Sequence, residues 1–410
     1  MTIERKIDLA ASEANPPIGS RPLRRFLLGM GVICGLVALL CGFSVAVLRT
    51  NLEQVSPVEA ARMQVKEGGL YGSALVYRPY PYKLELYRLE RPDVAIVGSS
   101  RAMGFVADGF AAPMTDLGGA VNEIVEAEQL IPDMLRIHHP KLLLFTLDFW
   151  WFNQERYAAD AAISRSPDIS FSLGDILSPA EWLLKGEVKP AKLLKTMFSP
   201  APDQPLIGVE ANQNHAGFDR YGTRFYGARL TGEAKFDDPR FKRTLKRLKS
   251  AKSDSKLGVT QPFSEAAWSE LMRLTRMAQD AGVEVRFIVP PMAGPVVARI
   301  HALAPRTLLE DLNDHLSRSG VTFYDFSDPA SLGASDCEFV DGFHGGFVVY
   351  LRILRKVAQD MESRPDLRAL IQPDSVLSDL IDKNRGRATL HGQKWAGKEK
   401  DYLKLGCKKS

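Results

Sequence analysis

Polar and apolar positions divide this chain into two regimes. Phe26 to Leu48 (FLLGMGVICGLVALLCGFSVAVL) is 23 residues without a charge, enough for a helix to cross a hydrocarbon core of about 30 Å. A cleaved signal peptide would have a shorter apolar run ending in a small-x-small site, so the pattern predicts a transmembrane helix. Beyond it, short apolar runs alternate with stretches of helical periodicity, the signature of βαβ units around a parallel sheet. Strands are expected at Asp93 to Gly98, Met114 to Leu117, Lys141 to Leu147, Val283 to Val289 and Val321 to Phe326. Helices are expected at Val121 to Ile137, Ser264 to Ala281, Pro295 to Ser319 and His344 to Glu362. In the first of these, Ile124, Ala127, Leu130, Ile131, Met134 and Leu135 form one stripe at helical spacing. Five parallel strands with covering helices predict an α/β, flavodoxin-like three-layer sandwich.

The expected organisation is a cytoplasmic segment 1–25, the span 26–48, a stalk and lead-in helix 49–92, the α/β domain 93–362 and a basic tail 363–410. A connection at 149–263 is far longer than such folds need and is expected to lie on top of the sheet. Within it, Arg240 to Lys256 has eight Lys or Arg against Asp254, with Phe241, Leu245 and Leu248 at helical intervals. It reads as a basic amphipathic helix with a solvated charged face; contact with an anionic polymer or membrane is the second reading. Tyr77, Tyr80, Tyr82 and Tyr87 suit either a membrane interface or ordinary packing.

The composition, 45% hydrophobic and 25% charged over 410 residues, is that of a folded protein. The net charge of +4 is local: Lys383 to Ser410 carries nine Lys or Arg against two acids, +7, leaving −3 for everything before it. That sign excludes a nucleic-acid-binding body. Arg21, Arg24 and Arg25 precede the span and only Arg49 directly follows it, so the positive-inside rule puts the N-terminus in the cytoplasm and the bulk of the chain outside, on one anchor in the inner membrane. Gly31 and Gly35 form a GxxxG from which no dimer follows, and Leu40 before Cys41 argues against lipid attachment. Cys34 and Cys41 fall in the span; Cys337 and Cys407 are left either to form one disulfide or to remain two thiols.

In open parallel sheets ligands bind at the carboxyl ends of the strands. The first predicted strand ends in Gly98-Ser99-Ser100-Arg101, where a serine on a tight turn above a helix N-terminus suits a nucleophile and equally suits a helix cap. The last strand leads to Asp341-Gly342-Phe343-His344. An Asp three residues before a His can hold one ring nitrogen while the other takes a serine proton: Asp341 orients, His344 is the base, Ser100 attacks. No GxxxxGK[ST], HExxH, EF-hand loop or CxxC pair is present, so neither a metal nor a nucleotide cofactor is expected. His138 and His139, adjacent at a helix end, and His215, in a turn of the insertion, read as structural. Pro290 and Pro291 read as a rigid rim.

These two blocks, with the wording VAIVGSSR, resemble the SGNH or GDSL hydrolases, whose first block is Gly-Asp-Ser and whose last is Asp-x-x-His. Ser99 in place of the acid looks like the membrane-anchored branch that includes alginate O-acetyltransferase-like proteins and the D-alanyl transfer protein of teichoic acid synthesis. The resemblance covers roughly 93–361, leaving the insertion aside. It implies a second-block glycine lending its amide to an oxyanion, which falls on Gly118, and a third-block Gly-x-Asn-Asp, which falls on Thr146-Leu147-Asp148-Phe149. An ionised Asp148 would repel an oxyanion whereas a protonated one would donate to it. Alternatively Asp148 anchors Arg101 or a substrate hydroxyl, with Asn153 or a backbone amide completing the hole. The family's chemistry implies transfer or hydrolysis of an acyl group, typically acetyl, on an extracytoplasmic polysaccharide, with an integral-membrane acyl donor as partner. A non-catalytic glycan-binding or assembly subunit is the competing reading, on the strength of Ser99 and Asp148.

Overall fold

The computed structural model describes residues 20–75, 79–161, 173–185, 188–198, 204–234, 238–252, 257–393 and 395–409. Residues 1–19 of the expected N-terminal segment, Tyr77, and Asp254 and Lys256 of the basic stretch lie outside these.

Among the described residues nine strands form two sheets: β1 (Leu70–Tyr71), β2 (Val94–Gly98), β3 (Met114–Gly118), β4 (Leu142–Thr146), β5 (Leu206–Ile207), β6 (Gly217–Phe218), β7 (Arg224–Phe225), β8 (Glu284–Val289) and β9 (Phe323–Asp325). The larger sheet is all-parallel in the order β3-β2-β4-β8-β9. This is the doubly wound order 2-1-3-4-5, whose switch point lies between β2 and β4. All five residues of β2, β3 and β4 are buried, because covering helices leave neither face to water and the strands read as nearly continuous apolar runs. The five strands predicted from the pattern match these within three residues at every end. Helices Ile124–Ile137, Glu265–Asp280 and Phe347–Asp360 also fall where periodicity placed them. The predicted helix from Pro295 to Ser319 is two, Gly294–His301 and Leu308–Arg318, the second started by a Thr307/Glu310 capping box.

The expected stalk is folded onto the domain. Helix Tyr80–Glu90 buries Tyr82 and Tyr87; the Tyr82 hydroxyl donates to Gln64 Oε1 at 2.5 Å and the Tyr87 hydroxyl to the His138 carbonyl at 2.7 Å. Tyr80, half-buried, donates to Asp133 at 2.5 Å. These tyrosines pack inside the protein and do not mark a membrane interface. Strand β1 joins β5, β6 and β7 of the insertion in the second sheet, ordered β5-β1-β6-β7. This sheet docks on the carboxyl ends of the parallel strands: the Arg224 amide donates to the Met103 carbonyl, Asp116 N–H to the Tyr221 carbonyl, and the Thr223 hydroxyl to the Phe105 carbonyl. Basic residues continue from Arg240 into helix Lys242–Lys249, whose Leu248 is buried and whose Leu245 packs partly against the core.

The basic tail is likewise a structural element. Leu367, Leu370, Ile371, Leu377 and Ile381 are buried in the main core, helix Asp374–Lys383 packs on Phe347–Asp360, and Cys407 is bonded to Cys337 with Cα atoms 5.8 Å apart. Charge counting registered its lysines and passed over this apolar stripe.

Among the described residues one helix, Ser20–Thr50, is long and apolar enough to cross a membrane; its candidate span is Pro22–Thr50. Its outgoing end is held by the insertion, where Val47 and Leu48 are buried against Trp182, Val188, Leu193 and Val209.

Candidate active site

Ser100 follows β2 at the switch point. Gly98 is required there because a Cβ would stand 1.8 Å from Thr146 Oγ1 on the adjoining strand. Beyond it the chain makes consecutive tight turns, with Ala102 N–H donating to the Ser99 carbonyl and Met103 N–H to Ser100; the Ser99 hydroxyl accepts from Arg101 N–H at 3.1 Å. No α-helix begins under Ser100, contrary to the expectation from the motif: the segment runs through turns to a short 3-10 helix at Ala107–Gly109.

Asp341 and His344 lie on the loop between β9 and helix Phe347–Asp360. Asp341 Oδ1 accepts the backbone N–H groups of Phe343 and His344 at 2.8 and 2.9 Å, closing the loop on itself. The same carboxylate meets His344 Nδ1 at 2.8 and 2.9 Å from its two oxygens, and His344 Nε2 stands 2.9 Å from Ser100 Oγ. Burial alone would raise Asp341, but the imidazole and the two amides outweigh it and hold the carboxyl below its ordinary value. An ionised carboxylate only accepts, so Nδ1 carries the proton and Nε2 presents its lone pair to the serine hydroxyl. Three side chains up to 244 residues apart thus form one continuous line of hydrogen bonds.

Arg101 and Asp148 also meet, with no hydrogen bond from either side chain to the serine hydroxyl. Both are 1% exposed; an Arg101 Nη1 to Asp148 Oδ1 bond of 2.8 Å joins them, Nη2 donates to the Pro290 carbonyl, and the Trp150 ring lies 5.4 Å from the guanidinium carbon. Of the roles open to Asp148, anchoring Arg101 is the one the structure displays. Pro290 is more than a rim, since its carbonyl takes part. Asn153 is turned elsewhere: its Oδ1 accepts the amides of Glu155 and Arg156 and its amide donates to the Gly258 carbonyl, so it caps helix Gln154–Ala161. Gly118 is placed as close to the Ser100 turn as the motif requires, a Cβ there lying 2.8 Å from Met103 N. Its amide, however, donates to Asp116 Oδ1 at 2.6 Å. The expectation that it stands open to an oxyanion is corrected: the buried Asp116 side chain curls forward two residues and occupies it. Among the described residues the Ser100 amide has no acceptor.

Two features of the surroundings were not legible in the motifs. Asp238 accepts Thr244 Oγ1 at 2.6 Å, the amides of Arg243 and Thr244, and Gly342 N–H at 3.2 Å. It thereby caps the basic helix and ties the insertion to the Asp341–His344 loop, where a Cβ on Gly342 would collide with Thr244. An Asp five residues ahead of Arg243, before a helix, was the available signal. Second, a cavity of about 620 Å³ is walled by Phe225, Tyr226, His215, Phe347, Thr389 and Trp395. The His215 and Trp395 rings are 5.1 Å apart. No member of the hydrogen-bonded trio lines it, but Phe347 begins the helix that follows His344, and the Tyr226 hydroxyl pKa is raised by burial first and by the charge of Asp341 second.

Among the described residues no cluster of three or more His, Cys, Asp or Glu is arranged to hold a metal ion. Comparison with protein-family models and with curated proteins finds no match to this chain.

Proposed function

We propose that the protein is a membrane-anchored serine acyltransferase or esterase of the SGNH type. Its folded domain lies outside the cytoplasm and acts on O-acyl, chiefly O-acetyl, groups of a cell-surface or exported polysaccharide. The observation that carries this reading is the unbroken Asp341–His344–Ser100 hydrogen-bond chain at the switch point of a parallel sheet. Polysaccharide as substrate follows from the resemblance to the membrane-anchored SGNH branch, and the aromatic cavity beside the loop is of a size to take sugar rings. The apolar helix and the arginines before it support anchorage in the inner membrane with the N-terminus inside.

In this mechanism Ser100 Oγ attacks the acyl carbonyl while its proton passes to His344 Nε2. The tetrahedral adduct collapses, the bond to the donor oxygen breaks, and that oxygen leaves with the proton from His344. The acceptor hydroxyl, of glycan or of water, then gives its proton to Nε2 as it attacks the acyl-serine. Cleavage of the serine ester returns the proton to Oγ. The Ser100 amide is one donor for the oxyanion; Gly118 N–H becomes a second once Asp116 releases it.

Covalent labelling of the detergent-solubilised protein by a fluorophosphonate probe tests this, with Ser100→Ala and His344→Ala alongside. Labelling of the wild type alone is expected. Wild type labelling no better than Ser100→Ala would leave the second reading, a non-catalytic glycan-binding or assembly subunit, which the occupied Gly118 amide and the neutralised Asp148 favour.

A further inference from the structure

Outside the apolar helix, the described residues expose only five large hydrophobic side chains, and four of them, Leu177, Leu184, Leu194 and Phe198, fall within 22 residues of the insertion. Leu184 is 89% exposed and Phe198 82%, values at which water contact is nearly complete. Their spacing is ordered. Leu177 and Leu184 are seven apart, at the two ends of Ser178–Leu184; Leu194 and Phe198 are four apart in Pro190–Phe198 and share a face. The inward positions of the same two helices, Trp182 and Leu193, are buried on Val47 and Leu48 of the apolar helix.

We infer that residues 173–185 and 188–198 form a collar lying in the membrane interface, its outward leucines and phenylalanine dipping into lipid beside the span. The partner is the bilayer surface itself, and three observations select it. The helices that carry the exposed side chains pack on the end of the apolar helix, whose residues from Leu23 to Leu40 supply the other exposed large hydrophobics among the described residues. The depth agrees: at about 1.5 Å per residue, Val47 lies roughly 31 Å from Phe26, where a hydrocarbon core of about 30 Å gives way to headgroups. Lysines stand between the exposed apolar positions: Lys185 pairs with Glu181, Lys189 and Lys192 donate to the Glu233 and Gln213 carbonyls, and four Lys against Asp175, Glu181 and Glu187 leave a small positive excess suited to anionic headgroups. The collar gives the single anchor a second point of attachment and so fixes which way the Ser100 crevice faces above the membrane. It rests on Phe26–Leu48 being a span, independently of whether Ser100 reacts.

The test is spin-label depth measurement on the full chain in nanodiscs of phosphatidylethanolamine and phosphatidylglycerol. Leu184→Cys and Phe198→Cys are labelled in a Cys34→Ala, Cys41→Ala background, with Val376→Cys, the fifth exposed hydrophobic, as a site away from the collar. Relaxation by lipid-soluble oxygen relative to a water-soluble nickel chelate is expected to be several-fold higher at 184 and 198 than at 376. Equal ratios at all three would overturn the collar. So would shielding of 184 and 198 from both reagents, which would mean that a second copy of the protein covers them. Native Cys34, labelled in Cys41→Ala, separates the two levels: a deep Cys34 with watery collar labels sinks the collar alone, and a watery Cys34 sinks the span and the collar together.

Discussion

The buried Arg101–Asp148 pair offers a quantitative check on how the site is built. At 2.8 Å its gross attraction is ~6 kcal/mol with an effective dielectric of about 20, yet both ions have been withdrawn from water, and the net value of such a pair is far smaller. Removing one partner exposes the asymmetry. Asp148→Ala leaves a guanidinium 1% exposed, with the Pro290 carbonyl and the Trp150 face as its remaining company, a loss of about 3–5 kcal/mol. An unfolding entropy of about 2.1 cal/mol/K per residue over roughly 360 residues converts this to a Tm lowered by ~4–7 °C. The double variant Arg101→Met, Asp148→Leu has no stranded charge and is expected to melt above either single variant. Scanning calorimetry of wild type, Asp148→Leu, Arg101→Met and the double provides the cycle, with Asp148→Ala measured beside it. Additive losses would refute the claim that the two charges exist for each other. Fluorophosphonate labelling at 20 °C supplies the second readout. Neither side chain hydrogen-bonds to the serine–histidine–aspartate line, so the folded double variant should keep its labelling rate within about tenfold, whereas loss of an oxyanion donor costs ~10²–10³. A fall of that larger size would return Asp148 to the oxyanion.

Other consequences are separable from this one. Asp341→Asn should cut fluorophosphonate labelling by ~10³–10⁴ with little change in Tm, because the amide favours the wrong His344 tautomer; near-wild-type labelling would show that Asp341 does not orient the ring. Burial pushes Asp116 up to about 7, so between about pH 4 and 7 the folded state holds a proton that the unfolded chain has released, and stability declines as pH rises through that window. In Asp116→Asn the slope of urea stability against pH should lose about one proton in that range, an unchanged slope counting against the assignment. The Cys337–Cys407 bond spans 70 residues, worth about 4 kcal/mol of unfolded-chain entropy; Cys337→Ser with Cys407→Ser should lower Tm by roughly 6 °C, and an unaltered Tm would mean that the tail's packing suffices.

What the pattern disclosed and what it hid have different physical causes. Strands such as Val94–Gly98 are buried on both faces and announce themselves by apolar continuity, while Ile124–Ile137 does so by a stripe at helical period. Ser100, Asp341 and His344 were found because the carboxyl edge of a parallel sheet is a short list of places. The insertion's strands were invisible: β5, β6 and β7 are two residues each, too short for alternation to register. The fate of Gly118 was equally hidden, because a side chain two residues upstream, Asp116, decides whether its amide is available.

That last contact bears on how the site would act. Asp116 is buried with Lys83, whose ammonium donates to the Asp116 and Gly222 carbonyls and is pulled down to about 8 by burial. The carboxyl sits on an amide that an acyl-transfer site needs, while Gly222 and Tyr221 of the insertion press on the same strand end. A displacement confined to Tyr221 and Gly222 that drew Asp116 aside would free Gly118 N–H next to Ser100, leaving the His344–Asp341 pair and its Asp238 tie in place. The Gly118 amide is thus governed by Asp116 and the insertion residues at that strand end, whereas the Asp341–His344 loop closes on itself and meets the insertion separately, through Asp238. Asp116→Ala removes the competing carboxyl outright. It should raise the fluorophosphonate labelling rate of the folded protein if the amide is what limits reaction, and a rate no higher than wild type would show that the Gly118 donor is not the missing piece.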